Sequence, residues 1–342
     1  MTGARRGGLA VFVNPRSRAN RRNPGLAREF AAVLGETGRV LAPASLDELN
    51  VTAAALRAAP PDVVAVHGGD GTLHKVVTAL GAAFGDAPLP PIALLPGGTM
   101  NVVASSLHIG EKAIPFLRSL AEGVRAGRRP ALVQRRCLRV GDHLGFIFGN
   151  GIAANFLGEY YADDAYGPRR ALWLLTRTFL SAFVRGPFVR RIFRRFEGEV
   201  RVDGALLPLT RFVGVNAATV REVGLGFKLN HRADDDPERF GVLAIHAPPL
   251  ALAFDLRAVF VGRGIAPSRA FSAVASTLDI TPSGGSGEMS YTIDGDLYRT
   301  SAPTLRLSVG PRIQFVRPHA AENTQSPALL SAPAGDTMKV AR

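Results

Sequence analysis

The chain has 342 residues, of which 46% are hydrophobic, and this size and composition allow two globular domains with substantial cores. A single cysteine, Cys137, excludes an intramolecular disulfide framework and a cysteine-based metal cluster, and it favours a reducing compartment. The net charge of +13 favours a polyanionic partner, which can be nucleic acid, nucleotide phosphates or an anionic bilayer.

The N-terminal part of the chain alternates strands with helices. Short β-type runs that end in turn residues lie at 9–15, 62–69 and 91–98, and stretches with helical spacing lie at 23–34, 45–59 and 70–84. This alternation predicts an α/β domain, residues 1–130, with a parallel sheet covered on both faces. Ligands of such folds bind at the carboxyl ends of the strands, so the loops after these three runs are the candidate binding loops.

From about residue 130 the pattern changes to short, turn-bounded strand candidates, which predict a mostly antiparallel β domain over residues 131–318. Residues 168–196 interrupt it with a helical, arginine-rich pattern. Residues 319–342 lack periodicity and predict a disordered tail. No apolar stretch reaches the roughly 20 residues that a membrane-spanning helix requires.

The stretch GGDGT, residues 68–72, marks the point where a buried strand is followed by a helix. Gly68, Gly69 and Gly71 carry no Cβ, so a phosphate can approach the backbone and the N-terminus of the helix. Asp70 would repel that anion, so it indicates either a bound Mg²⁺ or a role in taking a proton from an attacking hydroxyl. Thr72 adds a hydroxyl. The alternative is a plain turn in which Asp70 caps the helix.

A second loop repeats this pattern after the next strand. Gly97 and Gly98 are followed by the hydroxyl of Thr99, the amide of Asn101 and a helical stretch. Two such loops from neighbouring strands predict a single shared site. A third strand ends at NPRSR, residues 14–18, whose polar side chains can hydrogen-bond a nucleotide.

These stretches, together with YTIDGDLY at residues 291–298, occur in the order and approximate spacing of the lipid kinases that resemble diacylglycerol kinase and sphingosine kinase. The resemblance spans roughly residues 8–318, and no Walker A or protein-kinase signature is present. It implies a two-domain enzyme in which ATP binds between an α/β domain and a β-sandwich domain. The enzyme would phosphorylate a lipid hydroxyl with the help of Mg²⁺.

The resemblance also assigns individual positions. Nucleotide-contacting positions fall on Asn14, Pro15, Arg16, Ser17, Arg18, Gly68, Gly69, Gly71, Thr72, Gly97, Gly98, Thr99, Asn101, Asp294 and Gly295. The C-terminal motif of the family usually reads Asp-Gly-Glu, and its last carboxylate, here Asp296, is the proton acceptor in bacterial members, whereas the counterpart of Asp70 has that role in others. We therefore assign Asp70 and Asp296 together as catalytic, with Asp70 also the candidate Mg²⁺ ligand. Without the other motifs, the stretch Asp294-Gly295-Asp296 would favour a plain hairpin turn, because Asp-Gly is a strong hairpin signal.

Three departures from the family pattern bear on this assignment. Asp296 is one methylene shorter than the usual glutamate. Lys75 replaces an acidic residue, and it would either contact a phosphate or lie on the solvent face. Phe240 and Gly241 stand where bacterial relatives place an Asp-Gly of a structural Mg²⁺ site. Residues 234–236, three aspartates, could substitute, although the pattern favours an acidic surface turn.

The stretch 167–198 mixes apolar residues at helical spacing with arginines. This composition is typical of a segment that lies in a membrane interface, because arginine side chains reach lipid phosphates while apolar side chains enter the acyl boundary. The candidate membrane contacts are Arg185, Arg190, Arg191, Arg194 and Arg195. The alternative is a basic helix packed on the β domain with its charges in solvent.

The leading hypothesis is an ATP- and Mg²⁺-dependent lipid kinase that transfers the γ-phosphate to diacylglycerol and is cytoplasmic, peripherally associated with the inner membrane face. Alternatives are a kinase of a sphingoid base, ceramide or phosphatidylglycerol, and a catalytically weak membrane-bound sensor of nucleotide or lipid. NAD kinases share Gly-Gly-Asp-Gly, but the PGGTMN and DGD stretches favour the lipid enzymes. A nucleic-acid partner is not expected, and homodimerisation stays open.

Overall fold

The computed structural model describes residues 7–15, 17–98, 100–162, 173, 177, 186–283 and 288–318. The helices in these ranges are α1 (Arg18–Arg22), α2 (Leu26–Leu34), α3 (Leu46–Ala58), α4 (Asp70–Phe84), α5 (Val102–Ser106), α6 (Ala113–Arg125), α7 (Ile152–Tyr161), α8 (Pro187–Ile192), α9 (Pro249–Ala253) and α10 (Leu256–Phe260), with a 3₁₀ turn at Gly35–Thr37. The predicted tail, residues 319–342, and most of the predicted helical insertion lie outside the described residues.

The strands in the described ranges form two sheets. They are β1 (Leu9–Val13), β2 (Gly38–Leu41), β3 (Val63–Gly68), β4 (Ile92–Pro96), β5 (Leu132–Val140), β6 (His143–Gly145), β7 (Ile147–Asn150), β8 (Phe196–Val202), β9 (Ala205–Leu206), β10 (Arg211–Phe212), β11 (Gly214–Ala218), β12 (Phe240–Ile245), β13 (Ala270–Ala275), β14 (Thr277–Pro282), β15 (Met289–Ile293), β16 (Asp296–Thr300) and β17 (Leu305–Val316).

The N-terminal domain is built on a parallel sheet in the order β4-β3-β1-β2. Strands β1 and β3 are buried along their whole length, which explains why both read as continuous apolar runs rather than alternating patterns. Helix α3 packs against α4 and helix α2 packs against α6, and each contributes buried apolar residues to the core around the sheet. The predicted α/β domain with a parallel sheet is confirmed.

The C-terminal domain is an antiparallel sandwich, as the resemblance implies. One layer is a six-stranded sheet in the order β13-β12-β11-β7-β15-β16, and all of its pairs are antiparallel. The other layer contains β5, β8, β14 and β17. A single core cluster draws buried side chains from both layers, including Phe148 and Phe240 from the first and Leu278 and Leu307 from the second.

The two domains share a sheet, which the sequence pattern did not predict. Strand β17 pairs with β14 and β5 in the sandwich, and near its end Phe315 pairs in parallel with Ile92 of β4. The pairing of β17 with β5 shifts register between Val309 and Arg312, where the strand passes from one environment to the other. The order of the N-terminal sheet therefore continues into the sandwich through β17, which fixes one domain against the other.

Candidate active site

Three predicted loops meet at one edge of the parallel sheet. Strand β3 lies between β1 and β4, so the carboxyl ends of all three strands are neighbours. The N–H of Gly97 donates to the carbonyl of Gly68 at 3.0 Å, and the side-chain amide of Asn14 donates to the hydroxyl of Thr72 at 3.0 Å. The structure thus brings together the loops that the sequence singled out.

The two glycine-rich loops touch through their backbones. A Cβ on Gly69 would lie 3.1 Å from the Cα of Gly98, and a Cβ on Gly98 would collide with the backbone of Gly69. A Cβ on Gly68 would lie 2.5 Å from the hydroxyl of Thr72. The glycines are therefore required for the approach of the loops themselves, and they leave bare backbone at the N-terminus of α4, where an anion is stabilised.

We expect Gly98→Ala to weaken nucleotide binding by roughly tenfold or more, because the new methyl group forces the second loop away from the first. Isothermal titration with ATP measures the effect. Gly110→Ala is the matched control, since a Cβ there meets nothing within 4 Å and the affinity should be unchanged. Equal affinities in the two variants would contradict the packing requirement.

Asp70 joins the same two loops through its carboxylate. Its Oδ2 accepts the N–H of Val102 at 2.9 Å and its Oδ1 accepts the N–H of Val103 at 3.0 Å. Burial raises the pKa of the Asp70 carboxyl, while these backbone donors act in the opposite direction. Asp70 therefore holds the start of α5 against the first turn of α4, a structural role that the sequence did not indicate.

Asn101 closes the second loop on itself. Its backbone is left-handed, with φ of 49°, and its side-chain oxygen accepts the N–H of Gly98 at 3.1 Å. Its side-chain nitrogen donates to the carbonyl of Gly98 at 3.3 Å. Asn101 thus fixes the conformation of the loop. Thr99, which lies between Gly98 and Asn101 in the sequence, is outside the described residues.

The loop after β1 is organised by a residue that sequence reasoning missed, Asn20. Its side-chain nitrogen donates to the carbonyl of Asn14 at 2.5 Å and to the hydroxyl of Ser17 at 3.0 Å. Ser17 and Asn20 are both nearly buried, so neither is a simple surface polar residue. The Ser-x-x-Asn spacing directly after a buried strand could have indicated this turn. Arg16 and the side chain of Arg18 lie outside the described residues.

The C-terminal motif forms the predicted hairpin turn between β15 and β16. Asp294 and Gly295 both have positive φ, 47° and 87°, as a tight two-residue turn requires. The Asp294 carboxylate is buried and accepts the N–H groups of Phe146 and Ile147 at 2.8–3.0 Å. Burial raises the pKa of Asp294 well above its ordinary value. This side chain therefore anchors the hairpin to the sandwich.

The hairpin brings Asp296 to the phosphate loop. The Asp296 carboxylate lies 3.2 to 3.4 Å from the Cβ position of Gly71, in the first turn of α4. Lys75, one turn further along α4, places its Nζ 3.0 Å from Oδ2 of Asp296. The lysine therefore meets a carboxylate, a partner that the sequence did not indicate, while its side chain stays 42% exposed. The shorter Asp296 nevertheless reaches the loop.

A hydrogen-bonded pair, buried His74 and partly buried Tyr298, lies next to this ion pair. The Nδ1 of His74 is 2.7 Å from the carbonyl of Leu144, so Nδ1 donates and Nε2 accepts from the hydroxyl of Tyr298 at 2.6 Å. Burial lowers the pKa of His74 to about 4 and raises the pKa of Tyr298. The pair thus links α4 to β16 close to Asp296. His67 is also buried, and burial lowers its pKa to about 4.

Because His67 and His74 are neutral in the folded protein, we expect acid to destabilise it. An unfolded histidine has a pKa near 6.5, so the unfolded chain binds more protons as the pH falls from about 6.5 towards 4. The free energy of unfolding should fall by about 2 kcal/mol per histidine between neutral pH and roughly pH 5. Urea unfolding as a function of pH measures this change. His67→Leu should remove part of the pH dependence, and equal pH dependence in this variant and the wild type would contradict the prediction.

The acidic turn at 234–236 is paired with arginines. Asp234 accepts from Arg135 at 2.8 Å and Asp235 accepts from Arg232 at 2.7 Å, which fits the acidic surface turn that the pattern favoured. In the described ranges no group of three or more histidine, cysteine, aspartate or glutamate side chains could hold a metal ion.

The arginine-rich stretch is described only from residue 186 onward, apart from residues 173 and 177, so Arg185 lies outside the described residues. The other four candidate membrane contacts are described and exposed: Arg190, Arg191, Arg194 and Arg195. Arg191 pairs with Glu159 at 2.9 Å. Phe188 and Ile192 are buried against Tyr160, so these apolar residues face the protein. Across the described ranges no helix is both long and apolar enough to cross a bilayer.

Comparison with known proteins agrees with this geometry. Residues 8–128 match the family model of the diacylglycerol kinase catalytic domain. A diacylglycerol kinase structure from Bacillus anthracis is 13% identical, with a TM-score of 0.61 over 92% of this chain and 98% of that chain. Two further structures from the same organism, provisionally designated diacylglycerol kinases, are 14% identical, with TM-scores of 0.65 and 0.64 over 92% of this chain and 97% and 98% of theirs. No curated protein gives a significant match.

At these identities the structural matches establish the two-domain fold, and the family match establishes the catalytic domain. The matched segment contains both glycine-rich loops and the strand ends that bring them together. The resemblance predicted from the motifs is thus confirmed. Residues 8–128 are similar to the diacylglycerol kinase catalytic domain, and the chain as a whole shares the fold of the matched diacylglycerol kinase structures.

Proposed function

We propose that the protein transfers the γ-phosphate of ATP to the hydroxyl of a membrane lipid, most simply diacylglycerol. The observation that carries the proposal is the position of the Asp296 carboxylate beside Gly71, at the N-terminus of α4. Glycines let the ATP phosphates approach the backbone there, and the carboxylate stands next to the place where a phosphate would be held. Nucleophile, phosphate and proton acceptor would then occupy one small region.

In this reaction the lipid oxygen forms a bond to the γ-phosphorus, and the bond from that phosphorus to the bridging oxygen of ADP breaks. Asp296 accepts the hydroxyl proton, and Lys75, whose Nζ lies 3.0 Å from Oδ2, fixes the orientation of the carboxylate. Asp70 and Asn101 position the second loop through the contacts described above. Phosphoryl transfer asks mainly for such positioning and charge stabilisation.

Mg²⁺ fits this site as a companion of ATP. The candidate ligand at the cleft is the carboxylate of Asp70, whose oxygens already accept backbone N–H groups. One or two carboxylates plus phosphate oxygens form the usual environment of Mg²⁺ in kinases. When bound, the ion would neutralise the charge that develops on the phosphates.

We further propose that the protein works in the cytoplasm, attached peripherally to the inner membrane face. The exposed Arg190, Arg194 and Arg195 support attraction to anionic lipid, at about 1 kcal/mol for each cation near the surface. Changing these three to glutamine should reduce sedimentation with anionic vesicles. Unchanged sedimentation would exclude them as membrane contacts.

The decisive experiment is incubation with labelled ATP and a panel of lipid alcohols, followed by mass spectrometry of the products from a total lipid extract. We expect phosphatidic acid from diacylglycerol. A phosphorylated sphingoid base, ceramide or phosphatidylglycerol would change the acceptor and keep the reaction class. ATP binding without transfer to any lipid would refute the kinase proposal and favour a sensor, which the Lys75–Asp296 ion pair would then hold inactive.

A further inference from the structure

The surface formed by α9, α10 and the adjoining loop exposes an unusual amount of apolar area outside the site described above. Phe254 is 77% exposed, Val261 is 55% exposed and Phe260 is 54% exposed. Leu250, Leu256 and Leu225 of the neighbouring loop are also exposed. We call these six residues the α9–α10 surface. Large apolar side chains grouped in this way mark an interaction site rather than ordinary surface.

The helices that carry the α9–α10 surface are firmly attached to the protein. Asp255, between α9 and α10, is buried and pairs with Arg269 at 2.7 Å. Val259 is buried on the inner side of α10, and its carbonyl accepts the N–H of Lys228. The outward apolar side chains are therefore displayed from a fixed scaffold, and the fold itself does not require them to be apolar.

The charges around this surface are positive. Arg257 and Arg263 are exposed, and Asp255, the one acidic residue among residues 249–263, is buried and already paired. Lys228 lies against Gly262, where a Cβ would be 3.3 Å from its side chain. The neighbouring loop, residues 219–230, carries one acidic residue, Glu222, which is partly buried, so the exposed charges are mainly positive.

The arginine-rich stretch adds further exposed cations to the C-terminal domain. Phe193, directly before Arg194 and Arg195, packs on the same buried cluster as Leu252 of α9. The arginine-rich stretch and α9 therefore pack on one common cluster. Apolar residues bordered by cations are the composition of surfaces that enter an anionic lipid interface.

The α9–α10 surface also adjoins the candidate active site. Gly226 lies under the ring of Phe260, and the rings of Phe227 and Phe260 are 5.8 Å apart. In the same loop, a Cβ on Gly224 would lie 2.7 Å from the sulfur of Met100. Met100 directly precedes Asn101 of the second glycine-rich loop. One short loop thus connects the exposed apolar side chains to the wall of the cleft.

We propose that the α9–α10 surface is the face on which the protein docks to an anionic lipid bilayer, so that the cleft opens next to the membrane. The proposal rests on the proposed function for its purpose, since a membrane lipid must reach the cleft. A second copy of the chain is a poorer occupant. In a twofold contact each surface meets itself, which would bring Arg257 and Arg263 close to their own copies.

The test uses the full chain and vesicles of phosphatidylcholine with phosphatidylglycerol. The variant Phe254→Glu/Phe260→Glu should lose roughly tenfold or more of its vesicle-bound fraction in sedimentation. The matched control is Leu46→Glu/Val51→Glu on α3, which replaces two equally exposed apolar residues with the same charges and should sediment like the wild type. Equal binding by the two variants would overturn the proposal.

Two further readouts separate the possible failures. Activity on a dispersed short-chain diacylglycerol should be the same in wild type and in Phe254→Glu/Phe260→Glu, whereas activity on long-chain diacylglycerol in vesicles should fall with binding. If no lipid is phosphorylated but vesicle binding depends on the surface, the proposed function fails and the docking face stands.

A wild-type dimer in analytical ultracentrifugation that the variant converts to monomer, without a change in vesicle binding, would assign the surface to self-association instead. Phe254→Ser serves where the double variant does not fold.

Discussion

Asp296→Asn should reduce turnover by roughly 10²- to 10⁴-fold, the range associated with loss of a positioned proton acceptor, while ATP affinity and thermal stability stay near wild type. An amide cannot accept the proton of the lipid hydroxyl, yet it has nearly the same shape. Asp296 is 28% exposed and its contacts are the Lys75 ion pair and the first turn of α4, so little of the fold depends on its charge. Steady-state kinetics with saturating ATP measure the change.

Substitutions of two neighbouring residues serve as controls for Asp296→Asn. Asp294→Asn should instead lower stability, because this buried carboxylate accepts the N–H groups of Phe146 and Ile147. Lys75→Gln should reduce turnover less than Asp296→Asn, because the lysine orients the carboxylate and does not itself accept the proton. Wild-type turnover in Asp296→Asn would remove this residue from the catalytic assignment.

Features that depend on local periodicity could be predicted from the sequence. The buried runs of β1 and β3 and the helices between the strands are local patterns, and they suffice to predict a parallel sheet. The position of three polar loops at one edge follows from the direction of the strands. The Asp-Gly turn of the C-terminal hairpin is likewise a local signal, which the positive φ angles of Asp294 and Gly295 explain.

Contacts between distant segments could not be predicted in this way. The amides that hold Asp70 belong to Val102 and Val103, and the partner of Lys75 is Asp296, near the other end of the chain. Such pairs exist only once the sandwich has docked against the parallel sheet, which depends on β17 passing from one to the other. The environment of the arginine-rich stretch could not be predicted either, because its composition does not reveal that Phe188 and Ile192 are buried against Tyr160.

Asp70→Asn tests whether this carboxylate positions the loops or takes the proton. An amide offers one oxygen and one donor group, so one of the N–H groups of Val102 and Val103 would face another donor. A lost hydrogen bond to a charged group costs about 1.5 to 3 kcal/mol. The amide carries no charge, so the variant also avoids the cost of burying a carboxylate, the same burial that raises the pKa of Asp70, and this offsets part of the loss. We therefore expect a net loss of about 1 to 2 kcal/mol in the free energy of unfolding.

The larger effect of Asp70→Asn should be on the affinity for ATP. With its first turn no longer held, α5 and the second glycine-rich loop can move away from α4, and we expect ATP to bind roughly tenfold or more weakly. Turnover at saturating ATP should be retained better than in Asp296→Asn, because the proton acceptor is still present. Titration of ATP and single-turnover kinetics at saturating ATP separate the two effects. Unchanged ATP affinity together with a collapse of the transfer step would make Asp70 the proton acceptor and reduce Asp296 to a partner of Lys75.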